Sequence, residues 1–170
     1  DDAENKIKEN CEDYVEQEST FHSTKKRFKL AKNTIKSLKT IKKIVKLSNE
    51  NNIKLHLFIA PINKVRMDIY GIDDYLEFIA GISEITNFYN FSGYNSVTLN
   101  NCNYFSHSHY RPLVGEYVAA KIFKNKSIIV PDDFGVYVTK ENIDEHLKIL
   151  KGQIKSYDLA KKLSRQTQQK

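Results

Sequence analysis

The sequence predicts an α/β domain in which helices cover both faces of a parallel sheet. Three observations support this prediction. Segments with helical apolar spacing alternate with short apolar runs along the chain. One of these runs, residues 53–60, ends in consecutive apolar residues, which is typical of a strand that is buried on both faces. With 170 residues, of which 40% are hydrophobic, the chain can also form one well-filled core.

The chain divides into three predicted segments. Residues 1–24 are polar with few regularly spaced apolar positions, so we expect an N-terminal arm or short helix that contributes little to the core. Residues 25–138 hold the α/β unit. Residues 139–170 form a long C-terminal helix that ends in a polar tail.

The α/β unit opens with a lysine-rich helix. From Phe28 to Leu47, apolar residues recur at three- and four-residue steps and form one stripe. Lysines between Lys25 and Lys54 fill the opposite face and supply much of the excess behind the net charge of +6. Such a face can attract nucleic acid or anionic lipid. We favour the interpretation of a solvated outer face and do not expect nucleic-acid binding.

Two strands and a second helix follow. The polar run 49–52 ends the first helix, and a strand is predicted at 53–60, closed by Pro61. A helix is predicted at 73–85 and a second strand at 88–91, closed by Ser92-Gly93. Two strands are too few for a complete parallel sheet. We therefore expect that a missing N-terminal half or a partner completes it.

The last third of the chain begins with a predicted loop. Residues 95–108 are polar and lack periodicity, and long loops at the C-terminal end of a strand often carry function. Pro112 suits the first turn of the next helix. A final helix is predicted after Thr139, a plausible N-cap. Its apolar seam consists of Ile143, Leu147, Leu150, Ile154 and Tyr157.

The composition narrows the class of protein. Cys11 and Cys102 are too few for a disulfide scaffold and are not spaced as a metal site, but they could pair in an oxidising compartment. No apolar run approaches the roughly 20 residues that span a bilayer, and no signal peptide precedes the first residue. We expect no cofactor and no bound metal, and membrane association only through an N-terminal anchor that this sequence lacks.

His107 and His109 are the histidines that lie together on the predicted loop. Ligands of open α/β sheets bind beyond the carboxyl ends of the strands, which is where this loop should lie. A histidine there can take a proton from a serine. His-x-His spacing can also place two ring nitrogens on a metal, but the sequence nominates no further ligands. Both side chains can equally be surface histidines that only form hydrogen bonds.

Several strings within residues 35–157 resemble a known family. They are Asn90-Phe91-Ser92-Gly93-Tyr94, the run Tyr-Phe-Ser-His-Ser-His-Tyr-Arg-Pro-Leu-Val-Gly at 104–115, Asp133-Phe134-Gly135-Val136, Glu-Asn-Ile-Asp-Glu-His-Leu at 141–147, and Leu-Phe-Ile-Ala-Pro at 57–61. Together they resemble the C-terminal half of bacterial SGNH-hydrolase-like proteins, which are related to GDSL-type esterases and acyltransferases.

The resemblance implies a partial flavodoxin-like (SGNH-type) three-layer parallel sheet, in an exported or membrane-anchored protein that acts on acylated cell-envelope glycans. It places His109 at the position of the catalytic base and Ser106 at the position of the acidic residue that orients the base. Asn90 stands where the family usually has aspartate. The family's nucleophilic serine lies in its N-terminal half, and this sequence contains no Gly-Asp-Ser element.

Four further residues are candidates for substrate binding. Asn63, just past the first strand, can donate to an oxyanion or cap a helix. Arg111 can bind an anionic group through two hydrogen bonds or anchor the helix start. Tyr94 and Tyr110 can line a carbohydrate groove or cover the core.

These observations leave two main hypotheses. The first is an SGNH-like esterase or acyltransferase, truncated or degenerate, with its site near His109. The second is a non-catalytic module that binds glycan or a protein partner through the same loop. They differ in whether a serine reaches hydrogen-bond distance of His109.

Overall fold

A computed structural model describes residues 2–22 and 31–167 as a mixed α/β fold with small sheets. The helices are α1 (Asp2–Glu9), α2 (Cys11–Gln17), α3 (Ala31–Glu50), α4 (Lys64–Met67), α5 (Ile72–Ser83), α6 (Ser96–Leu99), α7 (Pro112–Phe123) and α8 (Ile143–Thr167). The strands are β1 (Phe58–Ile59), β2 (Phe88–Asn90), β3 (Tyr104–Ser106), β4 (His109–Tyr110) and β5 (Val136–Val138). Short 3-10 turns cover Ser19–His22 and Asn101–Asn103.

The main sheet has the strand order β1-β2-β5. β1 and β2 are parallel, whereas β5 runs antiparallel to β2. The predicted strand at 53–60 is much shorter in the structure, because β2 offers hydrogen-bonding partners over only three residues. β5 was not predicted, since a three-residue strand is too short to show a period. The specific flavodoxin-like three-layer arrangement stays a prediction.

The first core cluster lies between α3, α5, α8 and the main sheet. Ile79 and Ile82 of α5 are fully buried, and Leu150 and Ile154 of α8 pack in the same cluster. The predicted helices at 73–85 and after Thr139 correspond to α5 and α8, and the predicted seam of α8 faces this core. Helical periodicity was informative because the apolar stripe and the buried face coincide.

The lysine-rich helix α3 begins at Ala31 in the described residues. Phe28 and the lysines before residue 31 lie outside them. Leu38 and Ile41 pack against the first core cluster, whereas Lys36, Lys39, Lys42, Lys43 and Lys46 are exposed. None of the described helices combines the length and the apolar character that crossing a bilayer requires.

A second core cluster lies beneath α7. It contains Phe91, Val97, Val114, Val118, Ile122 and Phe134. Gly135 has φ +79°, and a Cβ added there would lie 2.4 Å from Cε1 of Phe91. A glycine is therefore required where β5 begins, because only a residue without a side chain permits this close approach at a positive φ.

The predicted irregular loop at 95–108 is largely ordered by asparagine side chains. Asn95 accepts a hydrogen bond from Thr98 N (3.0 Å), and Thr98 Oγ1 accepts one from Asn95 N (3.0 Å), so the two residues form a capping box for α6. Asn100 accepts from Cys102 N at 3.0 Å. The loop then enters the antiparallel hairpin of β3 and β4. The capping signals were in the sequence, but the prediction did not use them.

The N-terminal arm is helical. Of the predicted alternatives, an arm or a short helix, residues 2–22 form two short helices, α1 and α2, and a 3-10 turn, and the buried side chains of Ile7 and Phe21 are 4% and 6% exposed. A disulfide joins Cys11 to Cys102, with their Cα atoms 5.7 Å apart. The arm therefore packs against the segment that leads into the hairpin.

Candidate functional site

Ser106 and His109 face each other across the β3–β4 hairpin. They are paired in the ladder register, and Ser106 Oγ lies 2.9 Å from His109 Nδ1. The intervening turn is only two residues long, so the antiparallel pairing itself brings the side chains together. The two residues predicted to lie at the centre of the site are therefore within hydrogen-bond distance of each other.

This contact can orient the imidazole for base chemistry. If His109 Nδ1–H donates to Ser106 Oγ, the Nε2 lone pair is available to accept a proton. Ser106 Oγ also accepts from Ser108 N at 3.3 Å, which holds the hydroxyl in place. His109 is exposed, and within residues 2–22 and 31–167 its Nε2 makes no hydrogen bond. Ser106 has no charge, so it can orient the ring but cannot stabilise an imidazolium as a carboxylate does.

His107 does not share the partner of His109 and instead contacts Ser108 and Thr20. Its Nδ1 lies 2.7 Å from Ser108 Oγ, and its backbone N–H donates to Thr20 Oγ1 at 3.1 Å. Among the described residues, no group of three or more histidine, cysteine or acidic side chains could hold a metal ion. His107 and His109 therefore act as separate hydrogen-bonding residues in this structure.

Arg111 follows the hairpin and is already paired within the chain. Its Nε donates to Glu4 Oε2 at 2.9 Å and an Nη donates to Glu4 Oε1 at 2.5 Å, while the other Nη donates to Cys102 O at 2.8 Å. The paired hydrogen bonds from the guanidinium lower the pKa of the Glu4 carboxyl to about 2. Binding of an anionic ligand by Arg111 would require this ion pair to open.

The other predicted site residues are built into the packing. Asn63 is fully buried, accepts from Val65 N at 2.9 Å as the N-cap of α4, and donates to Asn101 Oδ1 at 3.1 Å. Tyr94 is 6% exposed and donates to Asp68 Oδ1 at 2.8 Å. Neither side chain presents a free polar group to a groove on the hairpin.

Tyr110 remains next to the pair. It is half-buried, lies opposite Tyr104 in the hairpin, and packs against the second core cluster. Tyr104 is fully buried, and burial raises the pKa of its hydroxyl. The structure therefore gives Tyr110 and Tyr104 packing roles, because successive side chains of a strand point to opposite faces and Tyr110 packs on the core while its neighbour His109 is exposed.

A buried polar network links β2 to α5 and α8. Asn90 Nδ2 donates to His146 Nε2 at 2.9 Å, while Asn90 Oδ1 accepts from Ser92 Oγ at 2.6 Å. Ser92 Oγ in turn lies 2.8 Å from the hydroxyl of Tyr75. No role for His146 was predicted from the sequence, although its residue type and the asparagine at position 90 were visible. Their separation of 56 residues hid the contact.

The surroundings of His146 favour the neutral imidazole over the protonated one. Its Nε2 accepts from Asn90 and therefore carries no proton, and its buried Nδ1 has no hydrogen-bond partner among the described residues. Burial lowers the pKa of this imidazole from its ordinary value of 6.5. A protonated ring would place an N–H against the amide donor of Asn90.

We expect the stability of the protein to fall as the pH drops below the ordinary histidine range. The unfolded chain takes up a proton at His146 that the folded chain excludes, so the unfolded state binds more protons and stability rises with pH. Urea unfolding between pH 8 and pH 5 checks this expectation. The slope should be smaller in His146→Gln, which cannot titrate; parallel curves for the two proteins would contradict the assignment.

Comparisons with known proteins identify no relative. No protein-family model matches the chain, and no curated protein or solved structure matches it. The function is therefore argued from the geometry of the site, because a mixed α/β fold by itself supports many activities.

Proposed function

We propose that this chain belongs to an SGNH-hydrolase-like esterase or acyltransferase that acts on acylated cell-envelope glycans, within a partial flavodoxin-like fold. The observation that supports the proposal is the 2.9 Å contact between Ser106 Oγ and His109 Nδ1. It reproduces the arrangement in which a base is oriented through Nδ1 and works through Nε2. The proposal also rests on the sequence strings described above.

In this proposal His109 is the general base. A nucleophilic serine transfers its hydroxyl proton to Nε2 while its oxygen bonds to the ester carbonyl carbon. The ester C–O bond then breaks, and His109 returns the proton to the leaving alcohol. Water completes hydrolysis, whereas a sugar hydroxyl in its place completes acyl transfer. No cofactor enters these steps.

The nucleophile is not among the described residues that contact His109. Ser106 is the only described serine with a hydrogen bond to its ring. We infer that the nucleophile comes from outside the described residues, either from an N-terminal half of the fold or from a protein partner. The uncharged Ser106 weakens the site, because losing the orienting carboxylate of a Ser-His-Asp enzyme costs about 10⁴ in rate.

The Cys11–Cys102 disulfide supports a location outside the cytoplasm. Disulfides persist in the periplasm and in extracellular compartments, where thiols are not kept reduced. We propose a periplasmic or other extracytoplasmic protein, membrane-anchored if a preceding segment supplies the anchor.

The second candidate function is a non-catalytic module that binds a glycan or a protein partner through the hairpin. The uncharged Ser106 favours it, because a binding role does not require a charged residue to stabilise an imidazolium. This candidate predicts binding without turnover.

A fluorophosphonate probe, which labels activated serines, separates the two functions. We expect intact-mass analysis to show one adduct on the protein assayed together with the proposed N-terminal half or partner that supplies the serine, and none when the chain carries His109→Ala. Ser106→Asp is the matched variant, because it restores a charge beside Nδ1 and should accelerate labelling by up to about 10⁴-fold. Absence of an adduct in all three folded proteins would contradict the esterase proposal and leave the binding module.

A further inference from the structure

The N-terminal arm contacts the hairpin on both of its flanks. Before β3, the disulfide links Cys11 of α2 to Cys102. After β4, Glu4 of α1 pairs with Arg111, and both side chains are mostly buried at 20% and 13% exposure. Arg111 also donates to Cys102 O at 2.8 Å, so it joins the two ends of the hairpin as well as the arm.

Two hydrogen bonds from the arm hold the backbone on either side of Ser106. The hydroxyl of Tyr14 donates to Phe105 O at 2.8 Å. The N–H of His107 donates to Thr20 Oγ1 at 3.1 Å. The residues before and after Ser106 are therefore fixed by α2 and by the turn that follows it. Ser106, which contacts His109, therefore lies between two backbone attachments to the arm.

The described arm also has contacts that do not involve the hairpin segment. Its buried side chains are Ile7 and Phe21, and the ring of His22 contacts Val15 O and Glu16 O within the arm at 3.1 Å and 3.0 Å. α1 and α2 are short, with 8 and 7 residues, and helices of that length are marginal without tertiary support. The disulfide is the one covalent link between the described arm and the hairpin segment.

We propose that the disulfide-linked arm positions the Ser106–His109 pair and that reduction of Cys11–Cys102 by a dithiol releases it. Tyr14 and Thr20 act as positioning residues, and the redox state of the cysteines decides whether they stay in place. The consequence for activity rests on the proposed function, whereas the consequence for the geometry of the pair does not.

The redox step is an exchange of two electrons. One thiolate of the dithiol attacks a cysteine sulfur, the Cys11–Cys102 bond breaks, and a mixed disulfide forms. The second thiol of the reductant then displaces the protein sulfur. The products are two protein thiols, each carrying a proton, and one oxidised dithiol. Loss of the covalent link lets α2 separate from Cys102, and the hydrogen bonds to Phe105 and His107 then open locally.

Nitrogen-15 NMR of the His109 ring and amide exchange test the proposal. In the oxidised protein we expect the ring shifts of a single tautomer, with a proton on Nδ1. After dithiol treatment we expect the ring shifts to approach the average of the two tautomers. Amide hydrogen exchange at residues 104–110 should become about tenfold faster. In Cys11→Ser/Cys102→Ser the reduced signature should be present from the start, and the dithiol should change nothing.

Conservative variants separate positioning from general loosening. Thr20→Val removes the acceptor for His107 N–H and should move the His109 signals, whereas Thr20→Ser retains an acceptor and should restore them. Tyr14→Phe should likewise shift the His109 signals. The amide signal of Tyr110, which packs on the core, should stay unchanged. Identical His109 signals in the oxidised and reduced proteins, or in Thr20→Val and the parent, would overturn the proposal.

The two proposals fail in different ways. If the ring signals respond to reduction but no form is labelled by the fluorophosphonate, the arm positions the pair and the esterase proposal is wrong. If labelling occurs at the same rate in oxidised and reduced protein and the ring signals are unchanged, the esterase proposal stands and the role of the arm is wrong.

Discussion

Replacing Cys11 and Cys102 together by serine is expected to lower the free energy of unfolding by about 3–5 kcal/mol. The disulfide spans 91 residues of sequence, so its loss frees a large loop in the unfolded chain. Urea unfolding followed by circular dichroism measures the change. The parent protein in excess dithiol should give the same value as the double variant.

Lys6→Ala is the matched control for this measurement. Lys6 lies in the same arm and pairs with Asp2, but the two side chains are 61% and 82% exposed. Exposed ion pairs contribute little, so no measurable change in the free energy of unfolding is expected. If Lys6→Ala and the cysteine variant lost equal free energy of unfolding, any substitution in the arm would destabilise the protein, and the disulfide would have no particular stabilising role.

Phe91→Ala is expected to lower the free energy of unfolding by about 3–5 kcal/mol. Phe91 is fully buried in the second core cluster, and its ring lies 5.1 Å from that of Phe134 and 6.0 Å from that of Phe58. Truncation leaves a cavity between β1, β2 and the start of β5. Thermal and urea unfolding should both record the loss.

The same substitution at Phe123 provides the control. That side chain is 70% exposed at the end of α7, so Phe123→Ala should change stability by only about 0.5 kcal/mol. If the two variants lose similar stability, the core assigned beneath α7 is wrong.

The helices could be predicted from the sequence because their information is local. α5 and α8 show an apolar stripe at helical spacing, and the residues of that stripe are the ones that the first core cluster buries. Pro112 marked the first turn of α7 for a similar reason, since its fixed φ suits that position. The proximity of Ser106 and His109 was also a short-range feature, three residues apart.

Short strands and long-range partners could not be predicted in this way. β5 is three residues long and becomes a strand only because β2 supplies its hydrogen bonds. The segment 53–60 has the composition of a strand, but its partner β2 is only three residues long, so only Phe58 and Ile59 form a strand. A backbone segment forms a ladder only where a neighbour is present, and that neighbour is set by the whole fold.

By itself the sequence determined the four longer helices α3, α5, α7 and α8, the approximate place of the candidate pair and the charge distribution. Only the tertiary structure decided what surrounds that pair. It placed Glu4 on Arg111 across 107 residues and brought Cys11 to Cys102, so the segment predicted to be a polar arm supports the hairpin. Periodicity reports which face of an element is apolar. Which elements then meet depends on packing and on satisfying buried polar groups throughout the chain.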